Sequence, residues 1–200
     1  MEPKEGLLTY RAEGNNIPGS PYYSRKIHWP GLSSRCHAYG SGVTIGRGYD
    51  LKYRSRREIV HDLTLAGIPS EQAKKIAEAA KKSHCSASDF VKREKDHIGE
   101  ITELQQLRLF ELTYQKYIVD SRRFYNEYKN VTSVSWERLD SGLKDVFIDM
   151  KYQGVLTIEM VPIFGRNEKQ ALINLIKTTP GLSAAEPARG RVPYIQGSGK

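Results

Sequence analysis

Nowhere in the 200 residues is there a run of about eighteen apolar side chains, the length that a membrane-spanning helix needs, so no segment is expected to insert into a bilayer. The N-terminus, Met1-Glu2-Pro3-Lys4-Glu5, is charged and leads only into a brief apolar patch, so no secretory signal is expected. A protein of this kind that works outside the cytoplasm needs another carrier. Cysteine is nearly absent, with Cys36 and Cys85 the only two. Each neighbours a histidine (Cys36-His37, His84-Cys85), but adjacent side chains diverge and the usual ligand spacing of about two to four residues is missing. Structural thiols or a disulfide therefore fit better than zinc, and no metal is expected. A Cys/His hydrolase fits less well still, because nothing else in the chain orients a base toward either thiol.

Acids are the scarcer charge, 23 Asp and Glu against 31 Lys and Arg, for a formal charge of +8. Long-range attraction then favours a polyanionic partner. Nucleic acid, anionic lipid and a bacterial wall all qualify, and charge alone does not choose among them. The basic residues are spread along the chain, as solvated helix faces would be. The length suits a single domain with a proper core, and no internal repeat interrupts it.

Along the chain, Leu7 to Ala12 reads as a short amphipathic helix, followed by Glu13 and a helix-stopping Gly14. A loop rich in turn formers and aromatics runs from Gly14 to Gly31. Its Trp29 either stacks on the apolar face of a sugar ring or plugs the core. Three glycines within the seven residues 42–48, with Val43 and Ile45 alternating between them, predict a tight β-hairpin over Ser41 to Leu51. Ser55-Arg56-Arg57-Glu58 is a capping box that opens a helix ended by Gly67. Pro69-Ser70 starts another, and Ser88-Asp89 caps or lies within a short third helix. Helical spacing without Gly or Pro from Thr102 to about Tyr128 marks a long central helix, with or without a break. Another helix is expected from Ser135-Trp136 to Gly154, and another from Glu168 to Ile176. The stretch 183–200 reads as a partly extended tail whose last residues, Gly197-Ser198-Gly199-Lys200, are loosely held. The fold class expected is α+β, mainly helical: a β-rich lobe over about residues 14–54, a helical lobe over 55–182, and the tail.

Glu13-Gly14, the triplet Thr44-Ile45-Gly46 with Gly48, and Tyr49-Asp50-Leu51 together resemble the phage-type lysozymes, most closely their bacteriocin branch, the pesticin muramidase domain. In phage lysozymes the catalytic Asp precedes the Thr-Ile-Gly triplet. Here the stretch from Ser33 to Val43 contains no acid, and Asp50 follows the triplet, as in the bacteriocin pattern. Phe147 to Gly154 is similar to the segment that these enzymes place at the back of their cleft. Pro187-Ala188-Arg189-Gly190-Arg191 is similar to their C-terminal arginine turn. The resemblance implies a lysozyme-like two-lobed fold, with Glu13, Thr44 and Asp50 as the catalytic set. It also brings Tyr49, Trp29, Gln153 and Arg189 forward as substrate-binding candidates.

The implied activity is a muramidase that cleaves the β-1,4 bond between N-acetylmuramic acid and N-acetylglucosamine in peptidoglycan, with no cofactor. Glu13 would be the general acid, Asp50 the ionised partner, and Thr44 the hydroxyl that positions water. Inversion follows if the carboxyl groups stand about 6.5–9.5 Å apart. The bacteriocin pattern without a signal implies a monomeric antibacterial toxin or effector delivered to a competitor's periplasm or wall, with a periplasmic immunity protein as partner and no nucleic acid. A phage endolysin or a chitinase-like glycosidase shares the chemistry. A basic, non-catalytic module binding wall polymer or nucleic acid is the alternative of another class. Taken singly, Glu13 also reads as an exposed helix-end carboxylate, Thr44 as a β-former and Asp50 as a turn cap. Gln153 could satisfy buried backbone groups, and Arg189 and Arg191 could pair with core carboxylates.

Overall fold

The computed structural model describes residues 1–197. The fold is α+β and mainly helical, with ten α-helices and a single two-stranded antiparallel sheet among the described residues. Its contacts divide the chain into two compact units. One holds Met1–Pro3 and Glu13–Thr113, the other Lys4–Ala12 and the chain from Tyr114 onward.

The first unit is built on the glycine-rich segment. Strand β1 (Thr44–Ile45) pairs with β2 (Tyr49–Asp50) in the register Thr44↔Asp50, Ile45↔Tyr49. The three-residue turn between them needs positive φ, and Gly46 (67°) and Gly48 (83°) supply it. Alternation decides which face is buried: Val43, Ile45, Tyr49 and Leu51 point into the core, while Thr44 and Asp50 keep partial exposure. Three helices close over that apolar face. Helix α2 (Arg56–Leu65) starts at Ser55, whose side chain accepts from the Glu58 N–H at 3.1 Å, and it contributes Ile59 and Leu63. Helix α3 (Ser70–Ala77) contributes Ala73 and Ile76. Helix α4 (His84–Ile98) contributes Ala87 and Phe90, and Leu109 completes the cluster. The hairpin thus shares its core with the helices that follow it, and contacts divide after Thr113 rather than at residue 54.

Helix α4 is longer than the sequence suggested and starts earlier, because Ser83 and Ser86 form the capping box and Ser88 and Asp89 fall inside. Ahead of it, a 3₁₀ segment (Ser33–Ala38) is bound to α4 by a disulfide between Cys36 and Cys85.

The second unit begins with α1 (Leu7–Ala12), and the long α5 (Glu103–Tyr128) runs unbroken through the division between units. A 3₁₀ turn over Trp136–Arg138 precedes α6 (Ser141–Gln153). The α-helix begins six residues later than Ser135 because Asp140 is the better N-cap: its carboxylate accepts from the N–H groups of Gly142 (3.0 Å) and Leu143 (3.2 Å). Phe147 centres an aromatic cluster, with ring centroids 5.6 Å from Tyr125, 5.5 Å from Trp136 and 5.0 Å from Phe164. The short α7 (Val161–Gly165) and α8 (Lys169–Thr178) follow.

Residues 183–197 are helical, not extended: α9 (Pro180–Arg189) and α10 (Arg191–Gly197) bury Leu182 and Ile195. Pro180 sits in the first turn of α9, where a missing N–H removes no helix bond. The expected looseness of Ser198-Gly199-Lys200 lies outside the described residues.

Candidate active site

The first unit's hairpin is joined on its far edge by the chain around His28. Thr44 N–H donates to the His28 carbonyl and His28 N–H to the Thr44 carbonyl, both at 2.9 Å. Both backbone groups of Thr44 are therefore committed to His28, which makes Thr44↔Asp50 a non-hydrogen-bonded pair. In such a pair the Cβ atoms stand about 4.5–5.5 Å apart on one face of the sheet. A hydroxyl and a carboxylate thus lie side by side, on the face opposite the apolar core.

The carboxylate is anchored. Asp50 Oδ1 accepts from the Lys52 N–H at 2.7 Å, and the Lys52 ammonium donates to the Gly40 carbonyl at 2.7 Å. Beneath it lies Gly42, where a Cβ would collide with Asp50 Oδ1 and stand 2.6 Å from Lys52 Cβ and 3.0 Å from Lys52 N. The absence of a side chain at 42 is what lets Asp50 rest there. Gly42→Ala is expected to lower the unfolding free energy by about 1–3 kcal/mol through overpacking. Urea denaturation measures this, and an unchanged midpoint would mean that the carboxylate moves aside freely.

Glu13 is partly exposed and opens the main stretch of the same unit. The residue after it is tied to the hairpin turn, because Arg47 Nη1 donates to the Gly14 carbonyl at 2.8 Å. A second tie runs through Ser24. Its carbonyl accepts from Gly46 N–H at 2.7 Å, and its own N–H donates to the Asn15 carbonyl at 3.1 Å. The structure thus pairs Thr44 with Asp50 directly and holds the chain just after Glu13 against the hairpin that carries them.

The substrate-binding candidates fare differently. Tyr49 is buried, and its hydroxyl donates to Asp62 Oδ2 at 2.7 Å. Lost hydration, and then that bond, push the phenol well above the ordinary tyrosine range. Tyr49 is a core residue, which corrects its assignment to substrate. Arg189 is also corrected: it is buried in the second unit, with Nη2 2.5 Å from Asp149 Oδ1. Gln153, exposed on the same unit, accepts from Arg191 Nη2 at 2.5 Å. Trp29 is half-buried, packs over Gly31, and donates its indole N–H to the Ser41 carbonyl at 2.9 Å. Its visible work is to close the loop that leads into the hairpin.

Two features escaped the sequence reading. Tyr53 stands 78% exposed just past β2, with the Lys52 ammonium 5.0 Å from its ring centre. His28 lies directly across from Thr44. The alternation Ile27-His28-Trp29 was the available signal for the second, but without the register it pointed nowhere.

The family described as a domain of unknown function (DUF8812) matches residues 6–179. The chain belongs to the DUF8812 family. No curated protein matches it. The DUF8812 region takes in Glu13, His28, Thr44 and Asp50 with the whole first-unit core, and it ends before α9 and Arg189.

Proposed function

We propose that this DUF8812 protein is a glycoside hydrolase of lysozyme-like fold, a muramidase acting on peptidoglycan as an antibacterial toxin or effector. The observation that carries the reading is the Thr44–Asp50 pair on the outer face of a hairpin, over a glycine that admits the carboxylate and beside the chain that bears Glu13. Two carboxyl groups and a hydroxyl are what glycoside hydrolysis by water requires. Asp50 and Thr44 hold a water, and the water's oxygen attacks the anomeric carbon as the glycosidic C–O bond breaks. Glu13 gives its proton to the leaving oxygen, and Asp50 receives the water's proton. Attack by water from the opposite face inverts the anomeric centre. The Cys36–Cys85 disulfide suits an oxidising compartment such as a competitor's periplasm, and the charge of +8 suits an anionic wall.

Glu13→Gln and Asp50→Asn are each expected to reduce lysis of purified sacculi at least about a hundredfold while circular dichroism stays unchanged. Retained lysis in either variant would overturn the assignment. Binding of sacculi without lysis by the unmodified protein would favour a wall-binding module instead.

A further inference from the structure

The ladder around Thr44 has three members, and only two have been given work. His28, Thr44 and Asp50 stand in one row, because residues directly opposite in neighbouring antiparallel segments project from the same face. Burial agrees with the row. Ile27, Val43, Ile45, Tyr49 and Leu51 fill the core on one side, and His28, Thr44 and Asp50 all retain exposure on the other.

We propose that His28 is a substrate-binding residue beside Thr44, its Nε2 accepting a hydrogen bond from an N–H or O–H of the sugar held there. This rests on the glycoside hydrolase reading of the same face. Nδ1 lies 3.0 Å from the Lys26 carbonyl, and a carbonyl only accepts, so Nδ1 carries a proton and, in the neutral ring, Nε2 holds the lone pair. The contact also fixes the ring, since Lys26 is two residues back on the same segment. Lost hydration, and after it the ammonium of Lys95, hold the imidazole below its ordinary pKa, while the bond to Lys26 opposes them. An uncharged ring fixed through Nδ1 offers a single oriented acceptor next to the hydroxyl and the carboxylate. Sugars bristle with donors, and one acceptor on a rigid ladder selects among their orientations.

Two amides separate this role from a structural one. Asn places its amide near the Nδ1 position, so His28→Asn can keep the bond to the Lys26 carbonyl but has nothing at Nε2. Gln reaches the Nε2 position and gives up the Nδ1 bond. On sacculi, His28→Asn and His28→Phe are expected to raise KM about tenfold with kcat within about twofold, and His28→Gln to restore most of the affinity. Binding of an N-acetylglucosamine oligomer by the same substitutions in a Glu13→Gln background should follow the same order. Recovery by Asn rather than Gln, or an unchanged KM in His28→Phe, overturns the proposal and leaves the hydrolase reading standing. No lysis by the unmodified protein removes both.

Discussion

Replacing Asp149 with Asn is expected to cost about 3–5 kcal/mol of unfolding free energy, the loss typical of breaking a buried ion pair from one side. Against a total of roughly 5–15 kcal/mol for a native domain, that is a large share. The side chain is fully buried on α6, and three other side chains bind its two oxygens. Thr9 Oγ1 donates to Oδ1 at 2.7 Å, Arg189 Nη2 to Oδ1 at 2.5 Å, and Arg191 Nε to Oδ2 at 2.7 Å. Arg191 is itself fully buried, and lost hydration pulls its pKa down although Asp149 opposes this. The amide would leave two guanidinium groups in a low-dielectric interior without the carboxylate that both of them bind. Thermal and urea unfolding would report the change, with a melting temperature lower by roughly 10 °C. A fall under about 1 kcal/mol would show that water reaches the cluster and that it holds little. A triple variant with Asp149, Arg189 and Arg191 all replaced by apolar side chains of similar size should recover much of the loss, since it removes the desolvated charges together.

The same cluster shows where sequence reading stops. Arg189 and Arg191 read equally well as wall-binding or core-pairing residues, and the structure chooses the core. The signal lay on another element: Asp149 sits among Val146, Phe147, Ile148 and Met150, an acid in a stripe buried nearly all round. An ionised acid there is costly without a partner, and a basic side chain is one way to meet that cost. Sequence could not say that it would come from forty residues downstream. Elements governed by local rules were legible. The hairpin with its glycines, the Ser55 cap and the long 103–128 helix all stand where periodicity and caps put them, and the structure settles that this helix has no break. The stretch 183–197 was misread because Pro and Gly look like breakers wherever they occur, whereas α9 carries Pro187 inside it, Pro193 lies in the first turn of α10, and Leu182 and Ile195 are buried to hold both helices.

The candidate site divides along the same line. That Thr44 and Asp50 share one hairpin could be read from its glycines, because a tight hairpin fixes its own register, whereas their proposed roles rest on the resemblance alone. Tyr49 was misplaced by one step of the same alternation: beside an outward Asp50 it must face inward, where Asp62 receives its hydroxyl. His28 needed the third segment of the ladder, a non-local pairing that nothing in its own neighbourhood announces.

Converting Cys36 and Cys85 to serine is expected to cost about 4 kcal/mol in the chain-entropy account, given the separation of 49 residues that the bridge closes. The effect should not stay at the bridge. The 3₁₀ segment Ser33–Ala38 leads directly into Gly40 and Gly42, whose backbones receive the Lys52 ammonium and lie under the Asp50 carboxylate. Gly42 also forms a backbone bridge to Ser83, two residues before Cys85. Without the crosslink, the hydrogen bond from Ser88 Oγ to Ser33 Oγ at 3.3 Å is among the contacts left to hold the segment to α4. The platform under Asp50 should therefore loosen before the core of Ile45, Leu51 and Ile59 does. Hydrogen exchange would show this as protection lost first over residues 33–44, and on the proposed function lysis should fall with it. Reductant should bring the native protein to the stability of the double-serine variant and leave that variant unchanged. If reductant lowers the stability of both equally, it acts elsewhere, and the crosslink is not what holds the segment under Asp50.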